Sequence, residues 1–187
     1  MTNNTLFISV DYLRDNSSIN GNTDNEILEP YIITAQTVHI EQVLGTGLFN
    51  DIVTSIQGNT IAGDNKTLLD DYIQPCLLQW TIYEALPFLN FKMTNKAVTT
   101  KSSDNSEPVG LSEIQYLRQN VRDTAEYLSQ RVTDYLKANP SLFPLYRNPG
   151  NSCDTIRPNS SSYFNGVYLE DYDNCDEGYG YNNITIR

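Results

Sequence analysis

Between Gly110 and Pro140 the apolar residues fall at Ile114, Leu117, Val121, Ala125, Leu128, Val132, Tyr135 and Leu136, a three-and-four spacing that lines them along one side of a helix. Ser112 with Gln115 three residues later gives a capping box at its start, and Asn139 followed by Pro140 closes it. About 26 residues at 1.5 Å each make a rod of roughly 39 Å. Such a rod with one apolar side is stable only against other helices, so the rest of the chain must supply a matching apolar surface. Its other side, with Arg118, Arg122, Asp123, Glu126, Arg131 and Lys137, reads as a solvated face.

That surface is expected from residues 65–86, where Leu68, Leu69, Ile73, Leu77, Leu78 and Trp80 surround a central buried helix. Upstream, Thr23 with Glu26 forms a second capping box ahead of Ile27, Leu28, Tyr31, Ile32, Ala35, Val38 and Val43, and Gly45 stops that helix in a left-handed conformation. Thr46 caps a shorter helix carrying Leu48, Phe49, Ile52, Val53 and Ile56, which Gly58 ends. Pro30 and Pro75 fall inside helical patterns and predict a kink or break at each. "FISVDYLRD" near the start reads as a short helix or strand that packs Leu6, Ile8, Tyr12 and Leu13.

The expected fold is therefore mostly α, a bundle of about four to five helices. The domain spans residues 1–146, with an insert at about residues 90–110, a short β-hairpin or an extended loop. The insert holds Lys92, Lys96 and Lys101, three of the five lysines. Residues 147–187 show no helical period and carry six acidic residues against three arginines, with five of the thirteen tyrosines: Tyr163, Tyr168, Tyr172, Tyr179 and Tyr181. That composition predicts an extended arm rather than core, and tyrosines spaced along it suit docking on another chain.

Asp+Glu 23 against Lys+Arg 12 leave a formal charge of -11. Specific nucleic-acid binding and anionic membranes fit that balance poorly, although a local basic patch is compatible with it. No run approaches the length of a membrane span, and the start lacks a basic leader, so the expected protein is soluble and unexported. Cys76, Cys153 and Cys175 show neither a zinc spacing nor a disulfide framework and read as thiols of a reducing compartment, with a Cys153–Cys175 bridge as the alternative.

Candidate chemistry is sparse. His39 is the single histidine and is assigned a packing or surface role. Asp70 with Asp71, and Glu170 with Asp171 and Asp173, are neighbours expected in any acidic chain. "EDYDNCDEGYGYNN" resembles a calcium loop in composition, but the EF-hand register puts Cys175 at an oxygen-ligand position, Asp176 at the glycine and Asn182 at the glutamate. A phosphate-cradling loop, a nucleophile elbow and a Cys/His cluster are missing from the sequence. No catalytic residue, metal or cofactor is expected, and the profile is that of an assembly component.

Read together, "EPYIITAQTVHIEQVLGTGLFNDI", "LLDDYIQPCLLQWTIYEALPFLNFKMTNKAV", "SDNS" and "EIQYLRQNVRDTAEYLSQRVTDYL" resemble a family of head-to-tail connector, or portal adaptor, ring proteins of crAss-like and related phages of Bacteroides-type hosts. The resemblance covers residues 6–146 and is carried best by the "LGTGL" helix exit and the "TNKAV" to "SDNS" insert. It implies a structural virion protein, made in the host cytoplasm and placed in the neck between head and tail. It further implies a homo-oligomeric ring, commonly twelve-fold, whose partners are the portal protein and the next neck or tail ring. Genome DNA would pass through the channel without specific binding, and no membrane would be involved.

On this reading the expected partner-binding residues are Lys92, Lys96 and Lys101 of the insert, Arg118, Arg122 and Arg131 of the long helix, and the five arm tyrosines. Another tail or neck completion protein is the alternative, and a cation-dependent binding module a more distant one.

Overall fold

The structure, a computed structural model, describes residues 5–19, 25–93, 98–100, 110–150 and 155–158. It is mostly helical. Ser9 starts α1 (Val10–Asp15) by accepting the Tyr12 N–H at 3.0 Å, so the first apolar segment enters as a helix and not as a strand. α1 turns Leu13 into the core, and Phe7 and Ile8 ahead of it are buried as well.

α2 is described over Asn25–Ala35, while Thr23, its expected cap, lies outside the described residues. The helix runs through Pro30 without ending. It leaves α geometry only at Gln36–Ile40, a π-helical stretch in which the Glu41 N–H reaches the Gln36 carbonyl five residues back. α3 (Glu41–Leu44) follows and stops at Gly45, whose φ of 76° and ψ of 153° open into a region that only glycine occupies readily. The positive φ is the expected one; the extended ψ, in place of the left-handed helical value, swings the chain straight into α4 (Thr46–Gln57). Thr46 is the first residue of α4 and Gly45 its cap, one position from the expected start.

α5 (Gly63–Thr67), a second π-helical stretch over Leu68–Ile73, and α6 (Gln74–Asn90) form one continuous helical run. Of the kink or break expected at Pro75, the break is absent. The Gln74 N–H bonds the Leu69 carbonyl five residues back, and this widened turn immediately before Pro75 is where a proline ring needs room. The run also passes Pro87 and ends four residues later than expected, at Asn90.

β1 (Phe91–Met93) pairs antiparallel with β2 (Val98–Thr100), Phe91 opposite Thr100 and Met93 opposite Val98. Most of the remaining insert, Lys96 and Lys101 included, lies outside the described residues.

α7 (Leu111–Ala138) is the long helix, 28 residues from end to end. Gly110 caps it and Glu113 reaches back to accept the Gly110 N–H at 3.1 Å, so the expected pair Ser112 and Gln115 is displaced by two residues and lies inside the helix. Gly110 has no side chain to complete the box. At the other end Asn139 closes the helix, its amide donating to the Tyr135 carbonyl at 2.9 Å.

Of the expected stripe, Ile114, Ala125, Val132 and Leu136 are buried. Leu117 departs from it, at 49% exposed. Opposite this turn the guanidinium of Arg118 covers the Tyr83 ring, 4.1 Å from its centroid, and so takes the packing position that Leu117 was expected to fill.

α6 lies between α2 and α7 and carries the centre of the core through Cys76, Leu77, Leu78 and Trp80. Phe143 and Tyr146 plug the far end of α7, the latter from α8 (Pro144–Arg147).

The chain then turns back. Thr46 donates its N–H to the Ile156 carbonyl at 3.0 Å and its hydroxyl oxygen accepts the Ile156 N–H at 2.9 Å, a two-bond tie between residues 110 apart in sequence. Pro149 lies over Gly47 and Pro158 over Gly45, where an added Cβ would come within 2.8 and 2.7 Å of them. The described residues of the expected arm, 147–150 and 155–158, are therefore laid against the domain.

Candidate functional site

Two places combine unusual geometry with chemistry. The first joins the π-helical stretch to the centre of α6. A π turn adds a residue to the helix turn and so re-aims the side chains around it, and Gln36 and His39 both point inward from this one. Gln36 accepts the Phe7 N–H through Oε1 at 2.9 Å and donates through Nε2 to the Thr5 carbonyl at 2.9 Å, while Gln74 and Gln57 hold the Phe7 carbonyl and the Thr5 hydroxyl. Three glutamines thus pin the N-terminal segment.

His39 lies flat on Trp80, ring centroids 3.7 Å apart, and its Nε2 donates to Glu84 Oε1 at 2.9 Å. Tyr83 stands edge-on to both rings, and Arg118 covers it. On the other side, Trp80 Nε1 donates to Ser129 Oγ at 2.9 Å, and Ser129 lies 3.3 Å from the Cys76 sulfur. Burial pushes the Cys76 thiol up to about 11, against the smaller opposing effect of those hydrogen bonds. Burial thus favours the neutral thiol, and the array fastens α6 to the π-helical stretch and to α7. Among the described residues, no three His, Cys, Asp or Glu side chains converge as a metal site would require.

The second place is a cleft of about 950 Å³ where the end of α7 meets α8 and the returning chain. Lys137, Arg147 and Arg157 line it with Tyr146, Pro140, Pro149 and Pro158. Three of the twelve basic residues thus face one opening of an acidic chain, and no Asp or Glu is among its described lining residues. The Tyr146 hydroxyl is buried without a partner among the described residues, and desolvation, with Asp134 nearby, raises its pKa. An acidic or anionic group is what such a cleft can hold.

Residues 40–156 match DUF6712, a family of unknown function. The chain belongs to this family. No curated protein and no solved structure matches it. The DUF6712 match runs from the last residue of the first π-helical stretch to Ile156, so it extends to the tie with Thr46, ten residues beyond the expected end of the domain at 146. It takes in Trp80 and Glu84 but begins one residue after His39.

Within this DUF6712 chain the expected partner-binding arginines lie on α7. Arg118 lies over Tyr83, Arg131 over Tyr72 at 5.0 Å, and Arg122 pairs with Glu126 at 2.8 Å on its own helix. Each of the three arginines thus has a contact within the chain, and Arg118 and Arg122, four residues apart, share a side of α7. Lys92 lies in β1, while Lys96, Lys101 and the five arm tyrosines lie outside the described residues.

The pairing of Glu84 with His39 and the gathering of Lys137, Arg147 and Arg157 were not foreseen. The first joins residues 45 apart, and the second depends on the chain folding back after α8. The "RNPG" turn after α8 is the one sequence signal that could have suggested the return.

Proposed function

We propose that this chain is a structural component of a phage particle, a ring-forming connector of the neck that binds the portal and extends the DNA channel towards the tail. The observation that carries this reading is a set of large apolar side chains left exposed at one end of the bundle. α6 and α7 run antiparallel with Arg118 over Tyr83, so the end of α6 and the start of α7 lie together, and there Phe88 is 41%, Leu117 49% and Tyr116 69% exposed. Ile27, one helical turn from Tyr31, adds to this end, since Tyr31 stacks on Phe88 at 5.4 Å. Apolar surface left open in this way is characteristic of a contact between chains.

The insert leaves the bundle from the same end, after Asn90. In this reading residues 90–110 are a projecting hairpin or loop whose lysines meet an acidic surface of the portal or of a neighbouring copy. In the assembled state the arm crosses onto adjacent subunits and presents its tyrosines to them. The net charge of -11 suits a channel past which DNA slides without sticking. Cyclic head-to-tail contacts close such a ring.

Replacing Tyr116 and Leu117 with serine tests the reading. Both are exposed, so the helical content should stay and self-association or portal binding should weaken; full assembly by the variant would remove the observation on which the proposal rests.

A further inference from the structure

The cleft between α7, α8 and the returning chain carries positive charge on a molecule whose charge is -11. Its described lining is basic at Lys137, Arg147 and Arg157, of which Arg157 already has a partner, and flat and apolar at Pro140, Pro149 and Pro158. A complementary ligand would be an acidic peptide with aromatic side chains, its carboxylates meeting the cations and its rings lying on proline faces.

The chain itself contains one such peptide close at hand. Residues 168–177, "YLEDYDNCDE", hold five acidic residues, no basic ones, and two tyrosines. Pro158 lines the cleft and is the last described residue, so the polypeptide leaves the structure at the cleft. Nine residues, 159–167, separate the two, a tether that spans up to about 30 Å. A tether this short places the segment at an effective concentration on the order of millimolar at the cleft, well above that of any free competitor in dilute solution.

We propose that in the free chain the basic cleft is the receptor for this molecule's own acidic segment, residues 168–177, which docks there in cis. The proposal goes beyond the ring reading and holds whether or not the chain assembles. Docking sets carboxylates against Lys137 and Arg147 and keeps the segment against the domain until another surface competes for it.

A zero-length carbodiimide, which joins carboxylates to amines in contact, tests this on the full chain at micromolar concentration, using an equal mixture of unlabelled and nitrogen-15-labelled protein. Lys137 competes with Lys66, Lys92, Lys96 and Lys101 for the carboxylates of Glu170, Asp171 and Asp173. The expected result is coupling chiefly to Lys137, within chains of one label, and declining with added salt.

Arg147→Glu should lower that yield by about fivefold or more, and adding Asp171→Arg should restore it. Arg147 is exposed, so the fold should survive the change, and the salt dependence of the wild-type chain stands as a readout that needs no variant. Even coupling to all five lysines would overturn the proposal, as would cross-links confined to pairs of differently labelled chains or a yield unchanged by salt and by Arg147→Glu.

Discussion

The His39 imidazole lies on the Trp80 indole with planes 7° from parallel and centroids 3.7 Å apart, while its Nε2 reaches Glu84 at 2.9 Å. One side chain on the π-helical stretch is thus held by two from α6, through ring contact and a charge-assisted hydrogen bond.

His39→Ala removes both contacts and should destabilise the fold by about 1–2 kcal/mol. Trp80 is the single tryptophan, so a urea titration followed by its emission reads stability and the altered ring environment together. Glu84→Gln keeps an acceptor for His39 and should cost less than His39→Ala.

Gln36→Leu leaves the Phe7 N–H and the Thr5 carbonyl without the side chain that serves both, in a region where Gln36 itself is 6% exposed. A loss of about 1–3 kcal/mol is expected. Hydrogen exchange at the Phe7 amide should rise by more than exchange in the middle of α7, because the N-terminal segment loses its clamp while the helix keeps its own ladder.

Gly45 combines a φ of 76° with Pro158 packed where a Cβ would stand. Gly45→Ala should therefore cost about 1–3 kcal/mol in backbone strain and also push the 155–158 segment off Thr46. A lower melting temperature together with faster trypsin cleavage after Arg147 is the expected pair of results. Lower melting with unchanged cleavage would mean that the segment is held by contacts other than those at Gly45.

Alkaline pH should weaken the fold. Cys76 is raised from 9.0 to about 11, and Tyr12, Tyr31, Tyr135 and Tyr146 are raised from 10.0, in each case chiefly by burial. An acid whose folded pKa lies above its unfolded one loses its proton first in the unfolded chain. Its stabilising contribution is complete below the unfolded value and declines as pH rises towards the folded one. Unfolding free energies from denaturant titrations should stay level to about pH 9 and fall above it, by at most about 1.4 kcal/mol per pH unit for a single group. Cys76→Ala should flatten the first part of that fall; an identical decline in the variant would assign it to the tyrosines.

The helices were legible where apolar spacing was long and regular, as in α7, or dense, as around Leu77 and Trp80. Their ends and irregularities were not. Ser112 with Gln115 matches the capping-box pattern better than Gly110 with Glu113 does, yet the helix begins at the second pair, where the chain leaves the insert. The proline positions predicted disturbance, but whether a proline breaks a helix depends on the preceding turn, and a π turn before Pro75 accommodates it.

Leu117 and Arg118 show the same limit at the level of packing. Spacing alone puts the leucine inside, while the ring of Tyr83 on another helix draws in the arginine. The basic cleft was illegible for a further reason. Lys137, Arg147 and Arg157 stand ten residues apart on two structural elements and a returning strand of chain, without a local pattern.

Assembly through the exposed apolar end of the bundle is the central proposal. Negative-stain electron microscopy of the purified chain, alone and mixed with the portal protein that the proposed function gives it as partner, tests it most directly. Closed rings of uniform diameter, or a ring added to the portal, are the predicted result. Particles that stay monomeric at every concentration and are indifferent to the portal would contradict it.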